Sequence, residues 1–261
     1  MIFKNVLIRI FYKYITDEII IKIPNSNKKI IFKVTGNKTR SRAINALTKE
    51  INTIEWINKF NNNSIFVDVG SQIGLYSLYA SIIKNCKSLA IEPYISNLYY
   101  LQENIKKNNL IENIFIFPFA ITDESIPGKL YLDDNFIKSE IGGGFPINPI
   151  NVRNELFDPT YWQGVHYVKL DDLLNIQKNI DYIKIDIDGN ELKCLAGATE
   201  TLKLKSLKSI LIELNENSKD YMEILKIMQN NNFKLDDKLT QKSYVSTKRG
   251  SKIYNHIFYK R

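Results

Sequence analysis

The chain has 261 residues, of which 44% are hydrophobic and 25% charged, so it can bury a sizeable core and suits either one large α/β domain or one domain with a small appendage. Its 36 Lys and Arg residues exceed its 28 Asp and Glu residues, which gives a net charge of +8. These basic residues are dispersed, without the long blocks that mark nucleic-acid-binding tails. We therefore expect no specific nucleic-acid partner.

The first residues, MIFKNVLIRIFYKYITDE, are interrupted by Lys4, Arg9 and Lys13 and fit neither a signal peptide nor a membrane span. Their apolar side chains follow a helical stripe, which predicts a helix docked on the domain, with membrane-surface contact as the alternative. Cys86 and Cys194 are isolated and form no C-x-x-C motif, which indicates a reducing compartment. We expect a cytoplasmic protein.

The stretch SIFVDVGSQIGLYSLYA predicts a strand, a turn and a helix that begins near Gln72. Gly70 and Gly74 allow a sharp turn and let a ligand approach the main chain without meeting a Cβ. Asp68 precedes them near the carboxyl end of the strand, where open α/β sheets bind ligands. An ordinary turn after a buried strand is the alternative interpretation.

The glycine spacing indicates which ligand the turn would hold. It matches neither the G-x-G-x-x-G nor the G-x-x-x-x-G-K-[ST] pattern of phosphate-binding loops. An acid beside the loop repels a pyrophosphate but suits a ligand with an ammonium and a sulfonium, such as S-adenosylmethionine. Glu92 ends the next strand, in KSLAIEP, where a carboxylate accepts hydrogen bonds from both ribose hydroxyls.

The following segments predict further elements of the same sheet. We expect a helix capped by Ser96, a third strand over residues 113–123 and a β-ribbon over residues 128–133. Residues 134–164, with IGGGFPINPI at their centre, predict a lid-like loop, and disorder is the alternative. A helix from about Ser218 to Asn230 and two final strands complete the prediction.

The segment IDYIKIDIDGNELKCLAGATETL concentrates charge at the end of a buried strand. Lys184, Asp186 and Asp188 point to one side of the strand, which costs free energy unless these groups are paired or used. A fifth strand, KSILIELN, also ends in an acid, Glu213. Together with Glu191 these carboxylates could ligate a divalent ion, but the D-x-D-G-N-E spacing is not a calcium loop, and we predict no metal site.

Six blocks in this order resemble the FkbM family of S-adenosylmethionine-dependent methyltransferases: FVDVGSQIGLYS, AIEPYISNLYYLQENIKKNN, FPFAITD, VKLDDLL, YIKIDIDGNELKCLAGA and ILIELNE. The resemblance covers residues 49–217 and, through NHIF, the final strand. The chain has Asp186-Ile-Asp188-Gly189 where the family usually has Asp-x-Glu-Gly, and Asn190 replaces a small or aromatic residue.

The resemblance implies an α/β fold, namely the Rossmann-like class I methyltransferase fold, with a mostly parallel seven-stranded sheet and helices on both faces. A small N-terminal helix and β-hairpin extension would occupy residues 1–48. The methyltransferase domain would occupy residues 49–261, with 134–164 as a lid-like insertion. The resemblance also implies S-adenosyl-L-methionine as the cofactor, bound by Glu50, Thr53, Asp68, Gly70, Ser71, Gln72, Ile73, Gly74, Glu92, Pro93, Ala120, Ile121 and Asp123.

Transfer of a methyl to a hydroxyl needs alignment and a proton acceptor. We expect Asp186 to be this base, with Glu213 and His166 as alternatives, and a structural contact of Asp186 with Lys184 or the cofactor amine as the competing interpretation. The resemblance favours a small molecule or a glycan as the acceptor, with the methyl transferred to a hydroxyl of a sugar. A protein or RNA amine methyltransferase and a non-catalytic cofactor-binding module are the competing functions, and the oligomeric state stays open.

Overall fold

The computed structural model describes residues 17–132, 139–143, 145–146, 149, 156, 158–159, 161–241 and 252–261. The predicted N-terminal helix and most of the predicted lid lie outside these residues. Within the described ranges, none of the helices has the length and apolar character needed to cross a membrane.

The described parts of the chain contain thirteen strands and seven α-helices. The strands are β1 (Glu18–Lys22), β2 (Lys29–Lys33), β3 (Ile65–Val69), β4 (Lys87–Ile91), β5 (Ile114–Phe117), β6 (Ala120–Thr122), β7 (Pro127–Leu132), β8 (Phe145–Pro146), β9 (Tyr161–Lys169), β10 (Tyr182–Ile185), β11 (Ser209–Asn215), β12 (Phe233–Leu235) and β13 (Ile253–Lys260). The helices are α1 (Asn37–Ile44), α2 (Ile51–Asn58), α3 (Leu75–Lys84), α4 (Ile95–Lys107), α5 (Glu191–Ala196), α6 (Tyr221–Asn230) and α7 (Asp237–Gln241).

The main sheet has seven strands in the order β12-β13-β11-β10-β3-β4-β5. Neighbouring strands are parallel except at β13, which is antiparallel to β11 and β12. The chain builds outward from β3 to β5 and then returns to the other side of β3 with β10. This reversal opens a crevice at the carboxyl ends of β3 and β10, where ligands bind in such sheets. The predicted α/β class and mostly parallel seven-stranded sheet are confirmed.

The two faces of the sheet are buried under different helices, because successive strand side chains point in opposite directions. Phe66 of β3 packs in the cluster that contains residues of α2, α3 and α4. Val67, the next residue, packs in the cluster with residues of α5 and α6. Strands covered on both sides need apolar residues at successive positions, which is why IFVDV and YIKI show so little alternation.

The predicted N-terminal hairpin is present as β1 and β2. It lies against α4: the Asn104 side chain accepts from the main-chain nitrogen of Lys33 at 2.7 Å, and that of Asn108 accepts from Ile31 at 2.9 Å. The hairpin's Ile30 and Phe32 belong to the same buried cluster as α2. The described part of the extension is thus packed on the domain that follows it.

Some predicted element bounds were wrong, each for a local reason. The third strand divides into β5 in the main sheet and β6 in a second sheet of order β6-β9-β7-β8, because Pro118 between them has no N–H to continue a ladder. Tyr94, not Ser96, precedes α4, and α3 begins at Leu75, beyond Gln72. The strand predicted in FKLDDKL ends at Leu235 and is followed by α7.

Gly70 holds the turn after β3 in a conformation that other residues disfavour. Its φ is +80°, and a Cβ placed there would lie 1.9 Å from the carbonyl oxygen of Asp186. We predict that Gly70→Ala lowers the free energy of unfolding by about 1–3 kcal/mol in urea titrations. The matched control is Gly164→Ala, since a Cβ on Gly164 would meet no atom within 4 Å. Equal stability of the two variants would contradict the close approach of the turn to β10.

Candidate functional site

The crevice at the carboxyl ends of the central strands contains a cavity of about 560 Å³. Ligand pockets usually measure roughly 300–1,000 Å³. Its walls come from five parts of the chain: α1 and the residues after it, the turn after β3, the end of β4 with the start of β6, residues 141–143, and the ends of β10 and β11. The predicted residues that line it are Glu50, Gly70, Ser71, Gln72, Ile73, Glu92, Pro93, Ala120, Ile121, Asp186 and Glu213.

The turn after β3 presents main-chain atoms and one unused hydroxyl to the cavity. Gly70 and Gly74 both have positive φ, of 80° and 86°, and Gln72 between them has φ of 50°. The Ser71 side chain is buried, and its Oγ has no hydrogen-bond partner among the described residues. A buried hydroxyl of this kind is normally satisfied, so a polar ligand in the cavity would complete its hydrogen bonding.

Glu92 is fixed at the end of β4 by two main-chain donors. Its Oε2 accepts from Gln72 N at 2.9 Å and its Oε1 accepts from Tyr94 N at 2.7 Å. The Asn97 side chain is a third donor to this carboxylate, which has about four acceptor positions and can therefore still accept from a ribose hydroxyl. Burial raises the pKa of Glu92 to about 7, despite these donors.

Asp68 lies behind the turn and does not line the cavity. Its Oδ2 accepts from both the main-chain nitrogen and the hydroxyl of Ser77, at 3.1 and 2.7 Å, so it ties β3 to α3. Gly74 also lies outside the lining, where its positive φ starts α3 against Leu101. Asp68 and Gly74 therefore do not contact a ligand in the cavity directly. They hold in place the turn whose residues 70–73 line it.

Glu50, placed just before α2, reaches the cavity from the side of α1. Its Oε2 accepts from the hydroxyl of Tyr76 at 2.6 Å and from the side-chain amide of Asn255 at 3.2 Å. Thr53 is fully buried beside it and accepts from the same Asn255 amide at 3.1 Å. Thr53 thus supports Glu50 from outside the cavity, and Asn255 on β13 is a contributor that the sequence motifs did not indicate.

Lys184 and Asp186 form an ion pair at the floor of the cavity. Lys184 Nζ lies 2.7 Å from Asp186 Oδ2, with 1% of the Lys184 side chain and 25% of the Asp186 side chain exposed. Burial opposes ionisation of both groups, but the Lys184 ammonium lowers the pKa of Asp186, and Asp186, Asp68 and Glu50 raise that of Lys184. Asp186 is therefore a carboxylate stabilised in its ionised form.

Glu213 and Asp188 are the other two carboxyl groups at the floor, and their pKa values are raised where that of Asp186 is lowered. Burial, reinforced by the charge of Asp186, raises the pKa of Asp188 to about 6 and that of Glu213 well above its usual value. Asp186, Asp188 and Glu213 each offer an oxygen within 4.8 Å of the other two. This site has an excess of negative charge, which a cation in the cavity would balance. The expectation that no metal ion fills this role stays a prediction.

Two predicted site residues lie away from the cavity. His166 is an exposed residue of β9, paired in register with Pro127, and does not line the cavity, so it is not placed to act as a base there. Asp123 follows β6 and lies 3.9 Å from the ammonium of Lys193 on α5, outside the lining.

The motifs missed two groups of lining residues. The first is the cavity-facing side of α1 and the residues after it: Lys38, Ser41, Arg42, Asn45 and Lys49. Their i, i+3, i+4, i+7 spacing could have indicated a functional helix face. The second is Ile141, Gly142 and Gly143 from the predicted lid, where Asn97 donates to Gly142 O at 2.7 Å and accepts from Gly142 N at 3.1 Å.

These residues fit the cofactor predicted from the sequence. The unpartnered Ser71 hydroxyl and the open turn would accept its polar groups, and Glu92 would hold a ribose. The acids at the floor would stabilise positive charge on an ammonium and a sulfonium. Ala120, Ile121 and Phe119 supply the apolar wall that an adenine ring requires.

The pKa of Glu92 predicts how cofactor affinity depends on pH. Below about pH 7 Glu92 becomes protonated and loses acceptor capacity, so affinity for S-adenosylhomocysteine should fall with decreasing pH, by at most about tenfold per unit for one proton. Calorimetry across this range measures the effect. Glu92→Gln is the control, because it cannot titrate; if its affinity has the same pH dependence as that of the parent chain, Glu92 is not the group responsible.

The chain is similar to several solved methyltransferase structures. It aligns with precorrin-6y C5,15-methyltransferase from Geobacter metallireducens over 87% of this chain and 90% of that one, with 11% identity and a TM-score of 0.46. It aligns with TYW2 from M. jannaschii in complex with AdoMet over 94% of this chain and 87% of that one, with 16% identity and a TM-score of 0.45. It aligns with TYW2 from P. horikoshii in complex with MeSAdo over 95% of this chain and 73% of that one, with 10% identity and a TM-score of 0.48. No curated protein sequence matches the chain.

The family assignment depends on a separate sequence comparison. The profile of the Methyltransferase FkbM domain matches residues 68–235, which run from the end of β3 to the end of β12 and include the turn, Glu92 and the floor carboxylates. This match covers well over half of the chain and confirms the resemblance seen in the motifs. The chain therefore belongs to the FkbM family of methyltransferases, and its cofactor is S-adenosyl-L-methionine.

Proposed function

We propose that this methyltransferase is an O-methyltransferase whose acceptor is a hydroxyl of a sugar in a glycan or glycan precursor. The observation that carries the proposal is the group of carboxylates Asp186, Asp188 and Glu213 at the carboxyl ends of β10 and β11, facing the same cavity as the glycine turn. A hydroxyl is a weak nucleophile at neutral pH, so its methylation benefits from a base at the reacting oxygen. When bound, the cofactor supplies an electrophilic methyl group on its sulfonium.

Glu213 is the carboxylate best suited to accept the hydroxyl proton. Burial, reinforced by the charges of Asp186 and Asp188, raises the pKa of Glu213, which makes its ionised form a stronger proton acceptor than an ordinary carboxylate. A cation bound in the cavity would favour the ionised, proton-accepting form of Glu213. Asp186, the first choice from the sequence, is held by Lys184 with a lowered pKa, which makes it a weak proton acceptor.

Asp186 is better suited to orientation than to proton transfer. Its Oδ2 is occupied by the Lys184 ammonium, whereas its remaining lone pairs can accept from an ammonium or hydroxyl in the cavity. We infer that Asp186 fixes the reacting groups and Glu213 takes the proton. The amine-methylating alternative makes less use of this arrangement, because a neutral amine is a stronger nucleophile than a hydroxyl and can release its proton to water after the methyl has been transferred.

The remaining parts of the proposal follow the sequence. We propose that residues 1–48 are an extension and residues 49–261 the methyltransferase domain. Within the segment 134–164 that the sequence predicts as a lid, the described residues Ile141, Gly142 and Gly143 line the cavity, which supports that prediction. The isolated, buried Cys86 and Cys194 fit a reducing compartment and so support a cytoplasmic location.

The acceptor class can be tested in cells with and without the protein. We expect mass spectrometry of glycans and their precursors to find a sugar heavier by one methylene unit only when the protein is present. Supplying cofactor with a labelled methyl should transfer the label to an ether carbon of that sugar. If the label is found instead in protein or RNA, the amine-methylating alternative replaces this proposal; if it is found in no acceptor, the cofactor-binding module does.

The role of Glu213 can be tested by comparing two isosteric variants in single-turnover assays. Glu213→Gln should reduce methyl transfer by roughly 100-fold or more, the lower range of a general-base contribution, with little change in S-adenosylhomocysteine affinity. Asp186→Asn should weaken cofactor binding or stability instead, because it leaves the buried Lys184 ammonium without its carboxylate.

Glu223→Gln, on the exposed side of α6, is the matched control and should behave like the parent chain. The opposite pattern, with Asp186→Asn inactive but normal in cofactor affinity and Glu213→Gln active, would return the role of base to Asp186.

A further inference from the structure

Apart from Lys184, which is buried in its ion pair with Asp186, the charged side chains that line the cavity are separated by depth. Glu50 and Glu92 are buried, and Asp186, Asp188 and Glu213 are partly buried at the floor. By contrast, the lining residues with exposed charges are all cations: Lys38, Arg42 and Lys49. Among the described residues, a ligand entering this cavity therefore passes positive charge at the rim before it reaches negative charge at the floor.

Helix α1 holds two of these cations in fixed positions. Thr39 and Ala43 are buried and anchor the helix, and Thr39 Oγ1 accepts from Gly36 N at 3.2 Å and donates to Gly36 O at 3.1 Å at its first turn. Lys38 and Arg42 are one turn apart on the side that faces the cavity. Arg40 is exposed as well but does not line the cavity.

Arg42 is the cation with the most capacity for a ligand. Its guanidinium makes no ion pair or hydrogen bond with any of the described residues, although its charge is close enough to lower the pKa values of Asp186 and Asp188. Lys49 differs, since its Nζ lies 3.7 Å from Glu50 Oε1. A guanidinium offers a planar fork of donors that matches a carboxylate or a phosphate, and here that fork is exposed at a cavity mouth.

We propose that Arg42, assisted by Lys38, binds an acidic group of the methyl acceptor, so that the acceptor is an acidic saccharide bearing a carboxylate or a phosphate. This inference rests on the proposed function and specifies its substrate class. The rim cations attract the acidic group and hold it away from the floor, which leaves a hydroxyl on the other side of the same sugar directed at Glu213. A neutral sugar has no charge for these cations to attract, so they would not increase its affinity.

Binding to the protein saturated with S-adenosylhomocysteine tests the proposal without requiring turnover. The probes are glucuronic acid for a carboxylate, glucose 6-phosphate for a phosphate, and glucose as the neutral reference. We expect calorimetry to show that at least one acidic probe binds roughly tenfold or more tightly than glucose, a factor that corresponds to about 1.4 kcal/mol. The affinity should decrease as salt is raised, because the rim charges are exposed.

Variants identify the residue responsible. Arg42→Gln should weaken the acidic probe by roughly tenfold or more, and Arg42→Lys should recover part of the loss, because it keeps the charge but not the fork. Arg40→Gln, on the same helix, should match the parent chain. Because S-adenosylhomocysteine affinity is measured for each variant, a failure to bind cofactor, which contradicts the proposed function, is separated from a failure to bind the acid.

Three results would overturn the proposal. The first is acidic probes that bind the parent chain no better than glucose. The second is equal acid affinity of Arg42→Gln and Arg40→Gln, which would mean that Arg42 only balances the floor acids. The third is a loss of cofactor affinity in Arg42→Gln as large as the loss of acid affinity, which would assign the guanidinium to the cofactor's own carboxylate.

Discussion

The ammonium of Lys184 is buried beneath the cavity, 2.7 Å from a carboxylate oxygen of Asp186 and 5.0 Å from the centre of the Tyr76 ring. Removing such a group from water carries a large free-energy cost, which only nearby negative charge and good geometry offset. The parallel pairing of β10 with β3 supplies that charge, because it places Lys184 opposite Asp68 in register. The arrangement of acids in the cavity depends on this one buried cation.

Lys184 divides the floor carboxylates into two kinds. Asp186, in contact with the ammonium, is stabilised in its ionised form, whereas Glu213 and Asp188 experience burial and the charge of Asp186 and so have raised pKa values. The same chemical group therefore has two different acidities within one cavity. The proposed function uses this difference: Asp186 orients the reacting groups and Glu213 takes the proton.

Exposed cations line the mouth of the cavity, above the acids of the floor. Helix α1 precedes the first strand of the main sheet in the chain, yet Arg42 and Lys38 line the same cavity as the turn after β3. In the proposed function, the carboxylates that act on the acceptor come from the sheet, and the cations that bind its acidic group come from a helix that precedes the sheet. Such a division allows acceptor specificity to change without altering the residues that hold the cofactor.

The sequence by itself determined the turn, the strand ends and the order of the central elements. Local patterns were sufficient there, since Gly70, Gly74 and the apolar runs of β3 and β10 express backbone and burial requirements of their own segments. It also identified Glu92, Asp186 and Glu213, because acids at the ends of buried strands are unusual enough to indicate use.

Only the tertiary structure decided what these residues face. Asp68 turned out to brace α3 through Ser77, and His166 lies on an exposed strand, because the direction of a side chain depends on strand pairing that the local pattern does not encode. The pKa values of Asp186 and Glu213 differ because of their distances from Lys184, which β10 and β11 fix across the sheet. Arg42 entered the site through the packing of α1, far from any motif. Charge and catalytic role arise from long-range proximity, and that proximity exists only once the chain has folded.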